Sequence, residues 1–246
     1  AQGLLAGVNA ARRVAGRQPI ILQRQQSYIG TLVDDLVTKG ASDPSRMMTS
    51  RSEYRLYLRP DNADQRLNPL GRELGLGADE RWDIFQATMA LKEEEMKRFH
   101  SVRAKPQAAN PVLLEKETTP LQTDALGADL LKRPQLTYWD VARMIGENPQ
   151  IDENLAARVE TEIKYEGYIE KQLSQVREMQ RLEKTLLPED IDYIALQGIR
   201  LEAREKLSKV RPRSVGQASR ISGVSPADIS VLLILLEQQR RERTRE

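Results

Sequence analysis

Apolar positions recur along this chain at spacings of three and four, so the elements they predict are helices. Tyr28, Ile29, Leu32, Val33, Leu36 and Val37 fall on one helical face, with Gly40 placed to end it. Over residues 79–103, Trp82, Phe85, Met89, Met96 and Phe99 form the expected buried stripe, and the charged positions between Lys92 and Arg98 form the solvated side. No proline interrupts residues 152–187, where Leu155, Val159, Ile163, Ile169, Leu173, Val176, Met179, Leu182 and Leu186 are mainly three and four apart. The register slips at Gly167, which predicts a kink or a close backbone approach.

Capping residues set further boundaries. Thr137 with Asp140 predicts a helix over 137–145, and shorter helices are expected over 1–13, 123–131, 201–210 and 215–221. The last junction is explicit: Gly223 ends one helix, Ser225 caps the next, Pro226 takes its first turn and Asp228 completes the box. Ser50 and Glu53 also have capping-box spacing, so 51–58 is expected as a helix; its Tyr-Arg-Leu-Tyr-Leu content leaves a strand open. Pro106, Pro111 and Pro120 make 105–123 an expected irregular linker, and 16–26 a connector or strand. The expected fold class is mainly α: a helical bundle followed by a small C-terminal three-helix subdomain.

Composition agrees with helices. The chain has 246 residues, 30% charged and 4% aromatic, and is rich in Leu, Glu, Arg and Lys. It has no cysteine and a single histidine, His100, so thiol catalysis and sites built on thiolate or several imidazoles are excluded and no metal site is expected. The longest apolar run, Ile229 to Leu236 around Ser230, is too short to span a bilayer, so no membrane partner and a cytoplasmic location are expected.

Net charge is +2, but residues 1–60 hold nine Lys and Arg against four acids, a bias that attracts phosphate backbones. On a helix over 51–58, Arg51, Arg55 and Arg59 would share a face, where like charges repel unless an extended anion runs alongside. Tyr54 and Tyr57 beside them are candidates for base stacking or for the core. A second basic and aromatic cluster, Lys164, Tyr165, Tyr168 and Lys171, flanks Gly167. Asp34 and Asp35 point about 100° apart on a helix and are not expected to share one ligand; ion pairs or ribose contacts suit them better than catalysis. Gly3, Ala6, Gly7, Ala10 and Ala11 make the first helix one that a neighbour approaches closely. Its free N–H groups suit an electron-rich cofactor edge or a phosphate.

Three functional classes compete. Residues 217–230 have the cadence of a helix-turn-helix DNA reader, but Ile229, Val231, Leu232, Leu233, Ile234, Leu235 and Leu236 leave the second helix few polar positions for base edges. Such a helix is built to be covered, in part by another protein. A structural scaffold built on the long helix over 152–187 is the second class.

The third class rests on resemblance. AQGLLAGVNAARR at the start, SYIGTLVDDLVTKG at 27–40, MMTSRSEYRLYLRPDNADQRL at 47–67, KYEGYIEKQ at 164–172 and PRSVGQASRISGVSPADISVLL at 212–233 occur in the order of the MnmG family, also called glucose-inhibited division protein A or GidA. The chain resembles the C-terminal portion of these tRNA wobble-uridine modification flavoenzymes from its first residue to about residue 236. The resemblance implies that residues 1–26 are a remnant of the FAD-binding α/β domain. Residues 27–187 become a helical tRNA-contacting domain, and 188–246 a subdomain contacting the GTPase MnmE. In the full enzyme it implies FAD, NADH, a folate-derived carbon and a homodimer, with tRNA and not DNA as the nucleic acid. Gln2 and Gly3 match positions facing the flavin. An RNA role is assigned to Lys39, Arg46, Arg51, Arg55, Arg59, Lys164, Tyr168 and Lys171, and a partner role to Gln217, Arg220, Ile221 and Ser225. Family catalysis uses cysteines, so no catalytic residue is expected here, and the chain is expected to be inert alone and to bind no FAD.

Overall fold

In the computed structural model, residues 2–38, 40 and 48–243 are described, with side chains as far as residue 238. Twelve α-helices, two short 3-10 turns and one two-stranded ribbon are the regular elements among the described residues. In chain order these are α1 (Gln2–Val14), α2 (Tyr28–Thr38), α3 (Ala63–Glu73), α4 (Asp79–Ser101), β1 (Arg103–Ala104), α5 (Pro106–Glu115), β2 (Ala125–Leu126) and α6 (Gly127–Leu131). They continue with α7 (Tyr138–Ile145), α8 (Glu153–Lys164), α9 (Glu166–Lys184), α10 (Leu201–Val210), α11 (Val215–Ser219) and α12 (Pro226–Arg243). Contacts divide the chain into two units, one of residues 56–171 and one of 1–55 with 172–246. The sequence expectation placed its divisions at 26 and 187 instead.

The unit of residues 56–171 is built around Phe99, Leu113, Leu131, Leu136, Tyr138, Val141, Val159 and Ile163, all without solvent contact or nearly so. The Phe99 and Tyr138 rings stack at 5.1 Å between centroids, and a T-shaped contact joins Tyr138 to Trp139. Close packing at α6 requires Gly127, because a Cβ there would lie 2.9 Å from Ile145 Cδ1 and 3.2 Å from the Phe99 carbonyl oxygen. The ribbon pairs Arg103 with Leu126 and Ala104 with Ala125, antiparallel. As expected, Thr137 caps α7 and Asp140 completes the box.

Three expectations fail in this unit. Residues 105–123 are not a linker, because α5 occupies most of them: Pro106 sits in the first turn, where no N–H is missed, and Ala109 and Leu113 reach the core. On α4 the face between Lys92 and Arg98 is not all solvated. Lys92, Glu95 and Phe99 are its buried residues, whereas Trp82, Phe85 and Met89 are only half-buried. Both charges are accommodated because partners meet them: Lys92 Nζ donates to both Glu162 oxygens at 2.9 Å and to Gln65 Oε1 at 2.9 Å. The break predicted at Gly167 lies two residues earlier, at Tyr165, between α8 and α9. Nothing approaches within 4 Å of where a Gly167 Cβ would be.

In the other unit, Leu187, Tyr193, Ile199, Ala203, Leu207, Val215, Ala218, Ile221, Ile229 and Leu232 form the core. The junction before α12 is as the sequence indicates. Ser225 Oγ donates to Asp228 Oδ2 at 2.7 Å, and the Ser225 backbone N–H donates to the same oxygen at 2.8 Å. Gly223 takes φ +98°. Core packing covers much of α12, but Ile234 remains 57% exposed. No residue of α1 is buried. It is tied to the connector that follows, where Asn9 exchanges two hydrogen bonds with the Ile20 backbone at 2.8 and 3.0 Å and Arg12 Nε donates to the Gln18 carbonyl at 2.6 Å. Residues 17–23 form a connector without strand pairing.

Candidate nucleic-acid interface

Arg24 carries no signal in the sequence and is the hub of a dense polar cluster. It follows the connector in a turn and is only 5% exposed, because α2 folds back over it. That approach needs Gly30, where a Cβ would lie 2.3 Å from the Gln23 carbonyl oxygen. Arg24 Nη1 donates to Asp35 Oδ1 at 2.6 Å and to Asp34 Oδ2 at 3.0 Å, and Nη2 donates to Glu53 Oε1 at 2.7 Å. The two adjacent aspartates therefore share one guanidinium nitrogen, contrary to expectation, because the donor sits between their side chains rather than beyond either one. Their expected role in ion pairs is met.

A second guanidinium completes the cluster. Arg220 Nε and Nη2 donate to the two oxygens of Asp34 at 2.7 and 2.8 Å, and Nη1 bonds Glu183 and the Gly216 carbonyl. A Cβ at Gly216 would meet the Glu183 carboxyl carbon at 2.7 Å, so that side chain would have to move. Burial works against the charge on both arginines, yet the hydrogen bonds they donate to the carboxylates outweigh it and hold both pKa values above the ordinary arginine range. Tyr54 lies against the cluster, with its hydroxyl pushed up chiefly by burial.

The proposed arginine face does not form as drawn. Residues 51–59 are neither helix nor strand: a 3-10 turn at Thr49–Arg51 gives way to irregular backbone and a second turn at Pro60–Asn62. Side-chain anchoring outweighs the helical preference. Tyr54 and Leu58 are pulled into cores, Glu53 is held by Arg24, and the Arg51 carbonyl accepts from Arg24 Nη2. Arg51 Nη1 approaches Asp35 Oδ2 at 3.6 Å, and Arg59 is bidentate to Asp61, with its Nε 2.9 Å from Oδ1. Arg55 is exposed. Lys39 and Arg46 lie outside the described residues.

The second cluster is assembled differently. Lys164 Nζ is spent on the Leu136 carbonyl at 2.7 Å and on Glu160 at 2.8 Å. Tyr165 and Tyr168 are 45% and 65% exposed, their ring centroids 6.4 Å apart, and Lys171 is exposed one turn further on. Glu166 between them is paired with Lys132 at 2.9 Å and His100 at 3.0 Å.

The four residues given a partner role also have work inside the fold. Gln217 Oε1 accepts from the Arg213 N–H, Arg220 is in the cluster above, Ile221 is buried and Ser225 caps α12. Gln2 and Gly3 lie exposed at the start of α1, with nothing within 4 Å of the Gly3 Cβ position. These two residues offer an edge and no walls, so a flavin held there would draw the rest of its site from elsewhere. Among the described residues no cluster of three metal-ligating side chains occurs, and no helix is long and apolar enough to cross a membrane. A cleft of about 460 Å³ is lined by Leu186, Leu187, Pro188, Glu189, Tyr193, Arg211, Pro212 and Arg213.

Helices joined by short turns and pinned by buried ion pairs define a mainly α protein of two helical units. Two family descriptions match it in sequence: the tRNA modifying enzyme MnmG/GidA C-terminal helical domain over residues 79–173, and the MnmG/GidA C-terminal helical bundle over 175–246. The chain belongs to the MnmG/GidA family, within its C-terminal helical region. It is 53% identical over 244 residues to the tRNA uridine 5-carboxymethylaminomethyl modification enzyme MnmG of Alkaliphilus oremlandii (strain OhILAs), covering 99% of this chain and 39% of that protein. To the enzyme of the same name from Bacillus subtilis (strain 168) it is 49% identical, covering 97% of this chain and 38% of that one. A crystal structure of Aquifex aeolicus GidA (form II) superposes with a TM-score of 0.79 at 41% identity, covering 96% of this chain and 37% of that one. The chain thus spans less than two-fifths of the length of these relatives.

Proposed function

We propose that this chain is the RNA- and partner-binding helical portion of a longer tRNA-modifying flavoenzyme. With the GTPase MnmE, that enzyme installs an aminomethyl or carboxymethylaminomethyl group at C5 of the wobble uridine. The observation that carries the reading is family membership through both C-terminal helical segments, on a chain that offers ion pairs and exposed basic and aromatic groups. In this reading FAD and NADH act in the remainder of the enzyme, a cytoplasmic homodimer, and Gln2 and Gly3 supply one rim of the flavin site. tRNA contacts are assigned to exposed cations, Arg55 and Lys171 foremost, with Arg51, Arg59, Lys39 and Arg46 contributing. Lys164 and Tyr168 complete the RNA-facing set. Partner contacts are assigned to the C-terminal unit around Gln217, Ile221 and Ser225, with Arg220 holding that surface in place and Ile234 adding exposed apolar area.

Filter binding of the chain to tRNA, with Arg55→Glu and Lys171→Glu variants, tests the assignment. Each reversal should weaken binding and lower the slope of log affinity against log salt by about one. Unchanged affinity in both variants would remove these residues from the interface.

A further inference from the structure

The exposed tyrosine pair at the junction of α8 and α9 has surroundings unlike those of a phosphate-binding stripe. Around it Lys132, Lys164 and Lys171 are matched in number by Glu160, Glu166 and Glu170. Two of the three lysines are already engaged, Lys132 with Glu166 at 2.9 Å and Lys164 with Glu160 at 2.8 Å. So nearly neutral a patch releases few counterions and has little hold on a duplex backbone. It does present ring surface: Tyr165 is 45% and Tyr168 65% exposed, with centroids 6.4 Å apart and planes inclined by 54°. A rigid ring on a helix loses little freedom when a flat partner settles on it, and every nucleobase has such a face.

Gly167 supplies an independent observation. It lies within α9, three residues after Lys164 and next to Tyr168, with nothing within 4 Å of its Cβ position. It stands in the first turn of α9, and no packing inside this unit requires a glycine there. A bare backbone beside exposed rings suits close approach by something from outside.

The geometry points to a site for an unpaired nucleotide, whose base stacks on Tyr168 and Tyr165 over the backbone at Gly167. The inference rests on the RNA reading above and sharpens it: this patch takes single-stranded or looped RNA, and paired RNA is held by other residues.

Fluorescence anisotropy with the full chain provides the test, using a labelled stem-loop RNA and a fully paired RNA duplex of equal length. The stem-loop should bind more tightly. Tyr168→Ala and Tyr165→Ala should each weaken it by about five- to hundredfold, leaving duplex affinity and the salt slope unchanged, because stacking displaces few ions. Tyr168→Phe should retain binding and Tyr168→Leu should lose it, separating an aromatic face from mere apolar area. Gly167→Leu should weaken stem-loop binding without lowering the thermal midpoint, an outcome that damage to the fold cannot produce. Equal affinity for stem-loop and duplex, or Tyr168→Ala within about twofold of the parent on a folded protein, overturns the inference. If the parent still binds RNA in that case, the broader reading stands and the pair belongs to a protein contact; if the parent binds neither RNA, both readings fall.

Discussion

Glu95 has no exposed surface, and its carboxylate accepts hydrogen bonds from Arg98 Nε at 2.9 Å and Asn148 Nδ2 at 3.2 Å, with Tyr138 Oη on the other oxygen. Burial alone would raise its pKa, but the donors, Arg98 first, outweigh burial and hold it below the usual carboxylate range. The Tyr138 hydroxyl moves the other way, pushed up by burial and by Glu95. A carboxyl that binds its proton less tightly folded than unfolded stabilises the fold fully above the unfolded pKa, about 4.3. That stabilisation is lost as pH falls through the lower folded value. Asp140 follows the same rule, its carboxyl lowered to about 2 by Thr137, Arg143 and Lys116 against the opposing effect of burial. Glu95→Gln should therefore cost about 1.5–3 kcal/mol in urea unfolding at pH 7, with the gap to the parent closing below about pH 4. Parallel pH profiles for the two proteins would show that the charge on Glu95 is not what matters. None of this was legible in the sequence. Glu95 sits in a run of charges, KEEEMKR, where nothing marks one glutamate as buried. Its partners at 138 and 148 come from elements distant along the chain.

Helices whose buried faces are apolar and whose ends carry local caps were readable: α2, α7, α10 and α12 lie close to where periodicity and capping residues put them. Elements decided by distant side chains were not. Residues 51–58 have the local signature of a helix, yet Tyr54 and Leu58 are buried apart from any helix and Arg24 holds both the Arg51 carbonyl and the Glu53 carboxylate. Proline content mis-marked α5 for the opposite reason: Pro106 sits in the first turn, where no N–H is missed, and the helix continues through Pro111 with Ala109 and Leu113 held in the core. Arg24 also shows how strongly these elements depend on one residue. Its replacement by alanine leaves Asp35 buried beside Asp34 without their shared donor, and should cost about 3 kcal/mol, read as a fall in the urea midpoint. Arg24→Lys should recover only part of this, because an ammonium cannot reach three carboxylates and two carbonyls as the guanidinium fork does. A silent Arg24→Ala would mean the cluster contributes no net stability.

Across the whole chain, the division between the two family descriptions, at residues 173 and 175, nearly coincides with the division between contact units, at 171 and 172. The sequence resemblance supplied the family but not this partition. Residues 1–55 join the C-terminal bundle's unit through pairs such as Asp34 with Arg220, 186 positions apart, a separation no local pattern reports. The matched relative is more than twice as long as this chain, and no residue of α1 is buried. The central claim is recognition of tRNA, and the most direct measurement is equilibrium binding of this chain to tRNA and to duplex DNA of matched length across a salt series. Tighter binding to tRNA at every salt concentration is the result predicted. Equal or tighter binding to DNA, or no binding to either, would contradict it.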